Sequence, residues 1–145
     1  VAWNNSAFEG LVSSETSYGE MKIVTKDFND IIDMGEAELK IGFDGYTEFG
    51  LELPEWYKNK EYEFVYKFQD VTAMLKAYSS YVSLAAISRE TGINSALLSH
   101  YANGLKVPRN KQQKIIVSGL HRIGALLSKC TIDDERKTQL NIERK

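Results

Sequence analysis

The sequence predicts an α+β protein in two parts: a small βββαβ domain over residues 1–70, then an all-α helix-turn-helix bundle over residues 71–130, followed by a polar tail at residues 131–145. Three observations predict it. Apolar residues come in short or alternating runs before Asp70 and at helical spacing after it. Residues 1–70 carry 15 Asp and Glu against 6 Lys, a net charge of −9, while residues 71–130 carry 8 Lys and Arg against Glu90 alone, a net of +7. Helix-capping and turn-forming residues then punctuate the second half at short, even intervals.

The first half opens with three short apolar segments, residues 1–3, 8–12 and 21–24. They are separated by Asn4-Asn5 and by the turn formers of residues 13–19, which suits three short antiparallel strands. Because the chain starts at Val1 without an initiator methionine, the first strand is expected to be shortened. Thr25 is placed to cap a helix starting at Lys26, with Asp27 and Asp30 in the turns where the helix dipole favours acids. Phe28, Ile31, Ile32, Leu39 and Phe43 keep helical spacing, so the helix should run to Phe43 or Asp44. Gly45, Gly50 and Pro54 then mark an irregular connection. Residues 62–68 alternate aromatic with other side chains, the clearest strand pattern in the chain. The helix is needed to cover one face of the resulting sheet.

In the second half, Asp70 or Thr72 caps a helix carrying Val71, Met74, Leu75 and Tyr78, which ends at Ser79-Ser80. Ser83 caps residues 84–90, Thr91-Gly92-Ile93 makes a turn, and Asn94 caps residues 95–102. Asn103-Gly104 closes that helix with a left-handed residue. A loop through Lys106-Val107-Pro108-Arg109 leads into a longer helix over residues 111–129, with Ile115, Ile116, Leu120, Ile123 and Leu127 on its buried face.

A helix-turn-helix needs a small residue in its first helix where the second crosses, a turn residue able to take positive φ, and apolar residues that lock the crossing. Ala86, Gly92 and the set Ile87, Ile93, Leu97 and Leu98 supply these. The first turns of the second helix are then expected to face the major groove of double-stranded DNA, with Ser95, Ala96, Ser99 and His100 reading base edges. Asn103, Lys106 and Arg109 would hold the sugar-phosphate backbone, and Ser83 and Asn94 would present helix amino ends to phosphates. The split charge agrees: a basic half suits a polyanion, and an acidic half suits a basic protein.

Residues 83–104 resemble the Cro/C1-type, XRE-like helix-turn-helix of phage repressors. With Lys106-Val107-Pro108-Arg109, with Gly119-Leu120-His121-Arg122-Ile123-Gly124, and with a strand entering a Tyr-bearing helix between Glu63 and Tyr78, residues 62–128 resemble the DNA-binding half of HicB-like antitoxins. Over residues 1–61 the similarity lies in the order of strands and helix, which matches the degenerate RNase H-like domain of that family. The resemblance implies an antitoxin that neutralises a small basic HicA-like RNase toxin and represses its own operon as a homodimer or higher homo-oligomer. The chain departs from the family in having Thr16-Ser17-Tyr18-Gly19-Glu20 where a glycine-and-cysteine segment is usual, and a stand-alone repressor without a toxin is the alternative reading.

Other function classes fit poorly. A two-metal RNase H-type nuclease needs several converging carboxylates, and the first strands offer only Glu9 and Glu15. Asp27, Asp30 and Asp33 recur along a helix amino end, where they serve the dipole. His100 and His121 have no nucleophile and orienting acid around them. The aromatic run at residues 62–68 is read as sheet core or dimer contact rather than a base-stacking platform. The lone Cys130 is read as a small apolar filler near a helix end, with neither disulfide nor metal-ligand spacing. The expectation is therefore a non-enzymatic, cytoplasmic regulator with no cofactor, no metal and no membrane association.

Overall fold

The computed structural model describes residues 1–4, 6–12 and 21–133. The turn segments expected at Asn5 and residues 13–19, the departure at residues 16–20 and the tail from residue 134 lie outside the described residues. The layout is α+β: a three-stranded antiparallel sheet followed by helices. Strands β1 (Ala2–Asn4), β2 (Ala7–Val12) and β3 (Met21–Thr25) lie in the order β1-β2-β3. Trp3 is opposite Phe8, Phe8 opposite Thr25 and Gly10 opposite Ile23. Alternation puts Phe8, Gly10 and Ile23 on the buried face and leaves Leu11 and Val24 exposed.

Helix α1 (Phe28–Glu48) covers that face through Phe28, Ile31 and Gly35. The approach is close at Gly10, where an added Cβ would meet the Ile31 side chain at 3.4 Å. The cap is Asp27, not Thr25: the Asp27 carboxylate accepts the Asn29 N–H at 2.9 Å. Thr25 instead ends β3, accepts the Asp27 N–H and donates to Asp30 at 2.6 Å. The helix also outlasts the expected end. Phe43, 3% exposed, stacks on Tyr57 at 4.2 Å and meets Trp56 edge-on at 5.4 Å, so the last turns pack against the short helix α2 (Glu55–Lys58).

The expected fourth strand does not form a ladder. Residues 61–68 run outside any strand, and among the described residues only their two ends are tied: the Glu61 N–H donates to the Trp56 carbonyl at 2.8 Å, and Val1 donates its amino group to the Lys67 carbonyl at 2.5 Å and accepts the Gln69 N–H at 2.8 Å. A ladder needs main-chain bonds along its whole length, and among the described residues none is made between Glu61 and Lys67. The alternation survives as side-chain placement, because Phe64, Tyr66 and Phe68 are half-buried and Glu63, Val65 and Lys67 are exposed. Tyr66 and Phe68 both pack on Phe28, at 5.4 and 5.6 Å between ring centroids.

Helix α3 (Val71–Tyr78), capped by Asp70 on the Ala73 N–H at 2.8 Å, belongs to two cores at once. Its Ala77 joins Phe8, Ile23, Phe28 and Ile31. Its Val71, Met74 and Leu75 join Ile87, Ile93, Leu98, Tyr101 and Ile116 of the remaining helices. Tyr78 and Phe68 touch both clusters. The Lys76 ammonium over the Trp3 ring at 5.0 Å and the Tyr81 hydroxyl donating to Asn29 add polar ties between the halves. Helices α4 (Leu84–Thr91), α5 (Ser95–Ala102) and α6 (Asn110–Leu127) complete the bundle. On α6 only Ile116 is fully buried of the expected apolar face; Ile115, Leu120 and Ile123 are half-buried, and Leu127 is 60% exposed. Cys130, beyond the end of α6, is exposed rather than packed as a filler.

Candidate nucleic-acid interface

The site is set by the local chemistry of α4, the turn and α5. The Ser83 hydroxyl accepts the Ala86 N–H at 3.1 Å to start α4. Gly92 ends it at φ +76, where a Cβ would be strained, and its N–H reaches the Ser88 carbonyl at 2.8 Å. Thr91 ties the turn from both sides, donating to the Ile87 carbonyl at 2.6 Å and accepting the Ile93 N–H at 3.2 Å. The Asn94 side chain accepts the Ala96 N–H at 2.7 Å and starts α5. Each such cap is worth about 1 kcal/mol.

Helix α5 then divides sharply by face. Leu98 and Tyr101 are buried and Leu97 half-buried, which fixes the rotation of the helix. Ser95 and Ala96 are exposed, Ser99 and His100 half-buried, and all four occupy the side away from the core together with Asn103. The Asn103 amide donates to the Ser99 hydroxyl at 3.3 Å, linking two polar groups along that face. The helix ends with Gly104 at φ +74, the Gly104 N–H on the Tyr101 carbonyl and the Leu105 N–H on the His100 carbonyl at 2.9 Å. Thr72 of α3 donates to that same Tyr101 carbonyl at 2.6 Å and holds the helix end against the bundle.

Beyond this turn, Lys106 and Arg109 are exposed. With Lys111 and Gln112 of α6 they line an open depression floored by Tyr101 and Ile115, and among the described residues no carboxylate lines it. Sequence reasoning missed Lys111 and Gln112 as site residues; the helix they open was legible, but only its docking angle puts them beside Lys106. The capping side chains are committed differently from what sequence suggests. Ser83 and Asn94 use their oxygens on their own helices, leaving the Ser83 hydroxyl proton and the Asn94 amide nitrogen as donors. Arg122 leaves the basic set altogether: its Nε donates to Glu90 Oε1 at 2.6 Å and its Nη2 to the Glu90 carbonyl at 3.1 Å.

The platform is held by a close crossing of α4 and α6. An added Cβ at Gly119 would lie 2.5 Å from Thr91 Cγ2, and Thr91 is pinned by its two hydrogen bonds. Gly124, on the same helix, has open space around it. Gly119→Ala should therefore lower stability by about 1–3 kcal/mol through overpacking, whereas Gly124→Ala should raise it by up to about 1 kcal/mol through helix propensity. Urea midpoints of the two variants check this. Equal midpoints would show that the crossing relaxes at no cost.

A second surface lies on the acidic half. Asp33, Glu36 and Lys40 of α1 face Lys60, Glu63 and the rings of Tyr57, Tyr62, Phe64 and Tyr66 across an open groove, three carboxylates against two lysines. Burial and then the nearby Glu36 and Asp33 carboxylates hold the Tyr66 hydroxyl above its ordinary pKa. No described helix is long and apolar enough to cross a membrane. Searches of family models, of curated proteins and of solved structures found no match to this chain.

Proposed function

We propose that the chain is a non-enzymatic DNA-binding transcriptional repressor whose helix α5 enters the major groove. The observation that carries the reading is a polar outward side of α5, with Ser95 and Ala96 exposed and Ser99 and His100 half-buried, whose carboxy end leads through the Lys106 N–H on the His100 carbonyl at 3.4 Å into a depression lined by Lys106, Arg109 and Lys111 and, among the described residues, by no carboxylate. Small polar side chains allow the helix to approach base edges, and the flanking cations meet phosphates. A homodimer would offer two such helices to half-sites about 34 Å apart. The test is binding to the duplex upstream of the chain's own reading frame, followed by fluorescence anisotropy over a salt series. Replacing Lys106 and Arg109 together with Ala should weaken binding to all sequences alike and flatten the salt dependence by about 0.9 in log–log slope for each phosphate no longer neutralised. An unchanged affinity and slope would overturn the placement of the backbone-binding cations.

The sequence resemblance of residues 62–128 supports a more specific reading, as a HicB-like antitoxin with a degenerate RNase H-like first domain. In this reading the α+β half holds a small basic toxin, and the helical half represses the shared operon. The charge of −9 over residues 1–70 and the carboxylates Asp33, Glu36 and Glu63 in the groove suit such a partner. Co-expression with the small basic protein encoded beside it, then co-purification, separates an antitoxin from a stand-alone repressor.

A further inference from the structure

We propose that residues 61–67 form a two-fold antiparallel β-ribbon with the same residues of a second copy, with the dyad at Phe64. This deepens the reading above, because it supplies the surface on which its dimer would form. Among the described residues, the main-chain N–H and C=O groups of residues 62–66 have no main-chain hydrogen-bond partner. The side chains nevertheless follow strand geometry: Tyr62 meets Phe64 at 6.1 Å between ring centroids, and Tyr66 and Phe68 both meet Phe28. An extended segment with unpaired backbone groups is a template for another strand.

The phase of this edge follows from its end at Val1. The Lys67 carbonyl and the Gln69 N–H point at Val1, so strand alternation puts the backbone groups of 63 and 65 on the same side, while the Glu61 N–H is taken by the Trp56 carbonyl at 2.8 Å. Those of 62, 64 and 66 point outward. A dyad at Phe64 uses that outward set: Phe64 faces the partner's Phe64 and Tyr62 faces the partner's Tyr66, each pair exchanging both N–H···O bonds. Aromatic cross-strand pairs then lie on the face where Phe64 and Tyr66 are half-buried and Tyr62 is exposed. On the exposed face Glu61 stands opposite the partner's Lys67 in a non-hydrogen-bonded pair, where Cα atoms come within about 4.5 Å. Symmetry repeats this attraction at the other end. The inner edge is closed to the same register, because Val1 already takes the Lys67 carbonyl. A dyad at Glu63 would set two carboxylates against each other.

Charge exchange tests the register. Without DNA, sedimentation velocity of the full chain should show a dimer for the wild type. Glu61→Lys and Lys67→Glu should each raise the dimer dissociation constant at least about fivefold, since each makes two like-charged pairs. An equimolar mixture of the two variants should recover the wild-type constant as a heterodimer, a recovery that misfolded chains would not give. A monomeric wild type, single variants as tight as the wild type, or a mixture no tighter than either variant would overturn the proposal. Rescue of Lys67→Glu by Glu63→Lys instead would move the dyad to Val65 and overturn the Phe64 register. Failure of the DNA reading is seen separately: a ribbon dimer that binds no duplex rejects that reading alone.

Discussion

Ser95→Glu should abolish binding to duplex DNA while leaving the fold intact. Ser95 is exposed and opens the first turn of α5, where a carboxylate is favoured by the helix dipole, so the substitution is not expected to unfold the helix. Against DNA the same carboxylate meets phosphates and the acceptor-rich edges of purines. Removing a base-edge interaction costs roughly 1–3 kcal/mol, and burying an unpaired charge adds to it, so affinity should fall more than about a hundredfold. Ser99→Glu, one turn later on the same face, should behave alike. Anisotropy titration paired with a thermal melt checks both, and binding within a few-fold of wild type would mean that another surface meets the duplex.

Leu98→Ala should be among the most destabilising truncations in the helical half. Leu98 is fully buried in the cluster formed by α3 to α6, where its side chain sets the rotation of α5. Removing it costs about 2–5 kcal/mol, a large part of the roughly 5–15 kcal/mol typical of a whole domain. Leu105→Ala, at a side chain 71% exposed, should change stability by less than about 0.5 kcal/mol. Urea unfolding followed by helical ellipticity should separate the two clearly, and equal midpoints would show that Leu98 does not anchor the platform. Because α5 carries the outward set on its other side, Leu98→Ala should also weaken DNA binding in proportion to the unfolded fraction.

Where a signal is local, sequence and structure agree residue by residue. Asp70, Ser83 and Asn94 each cap the helix expected of them, and Gly92 and Gly104 take the positive φ that their turns require. A cap or turn is closed by hydrogen bonds within a few residues, so the residues that decide it are adjacent in the chain. The same logic explains why α5 splits into a buried and an outward face at the positions its periodicity indicates. Thr25 against Asp27 shows the edge of this rule. Both are good capping residues, and Asp27 takes the role because β3 holds Thr25 opposite Phe8.

What was settled only in three dimensions joins residues far apart. Glu90 draws Arg122, 32 positions away, out of the basic set, and Thr91 meets Gly119 across a helix crossing. Phe43 extends α1 to Glu48 by finding Tyr57 and Trp56. Residues 62–66 carry the strongest strand pattern yet join no ladder, since a strand is a relation between two chains and alternation describes only one. Local composition thus decided helices α3 to α6, the caps of α3 to α5 and the face of α5, because those bonds close within a turn; the start and end of α1 and the short helix α2 were not read from it. Pairing, crossing angle and the availability of each charge depended on long-range packing, which no short window of residues contains.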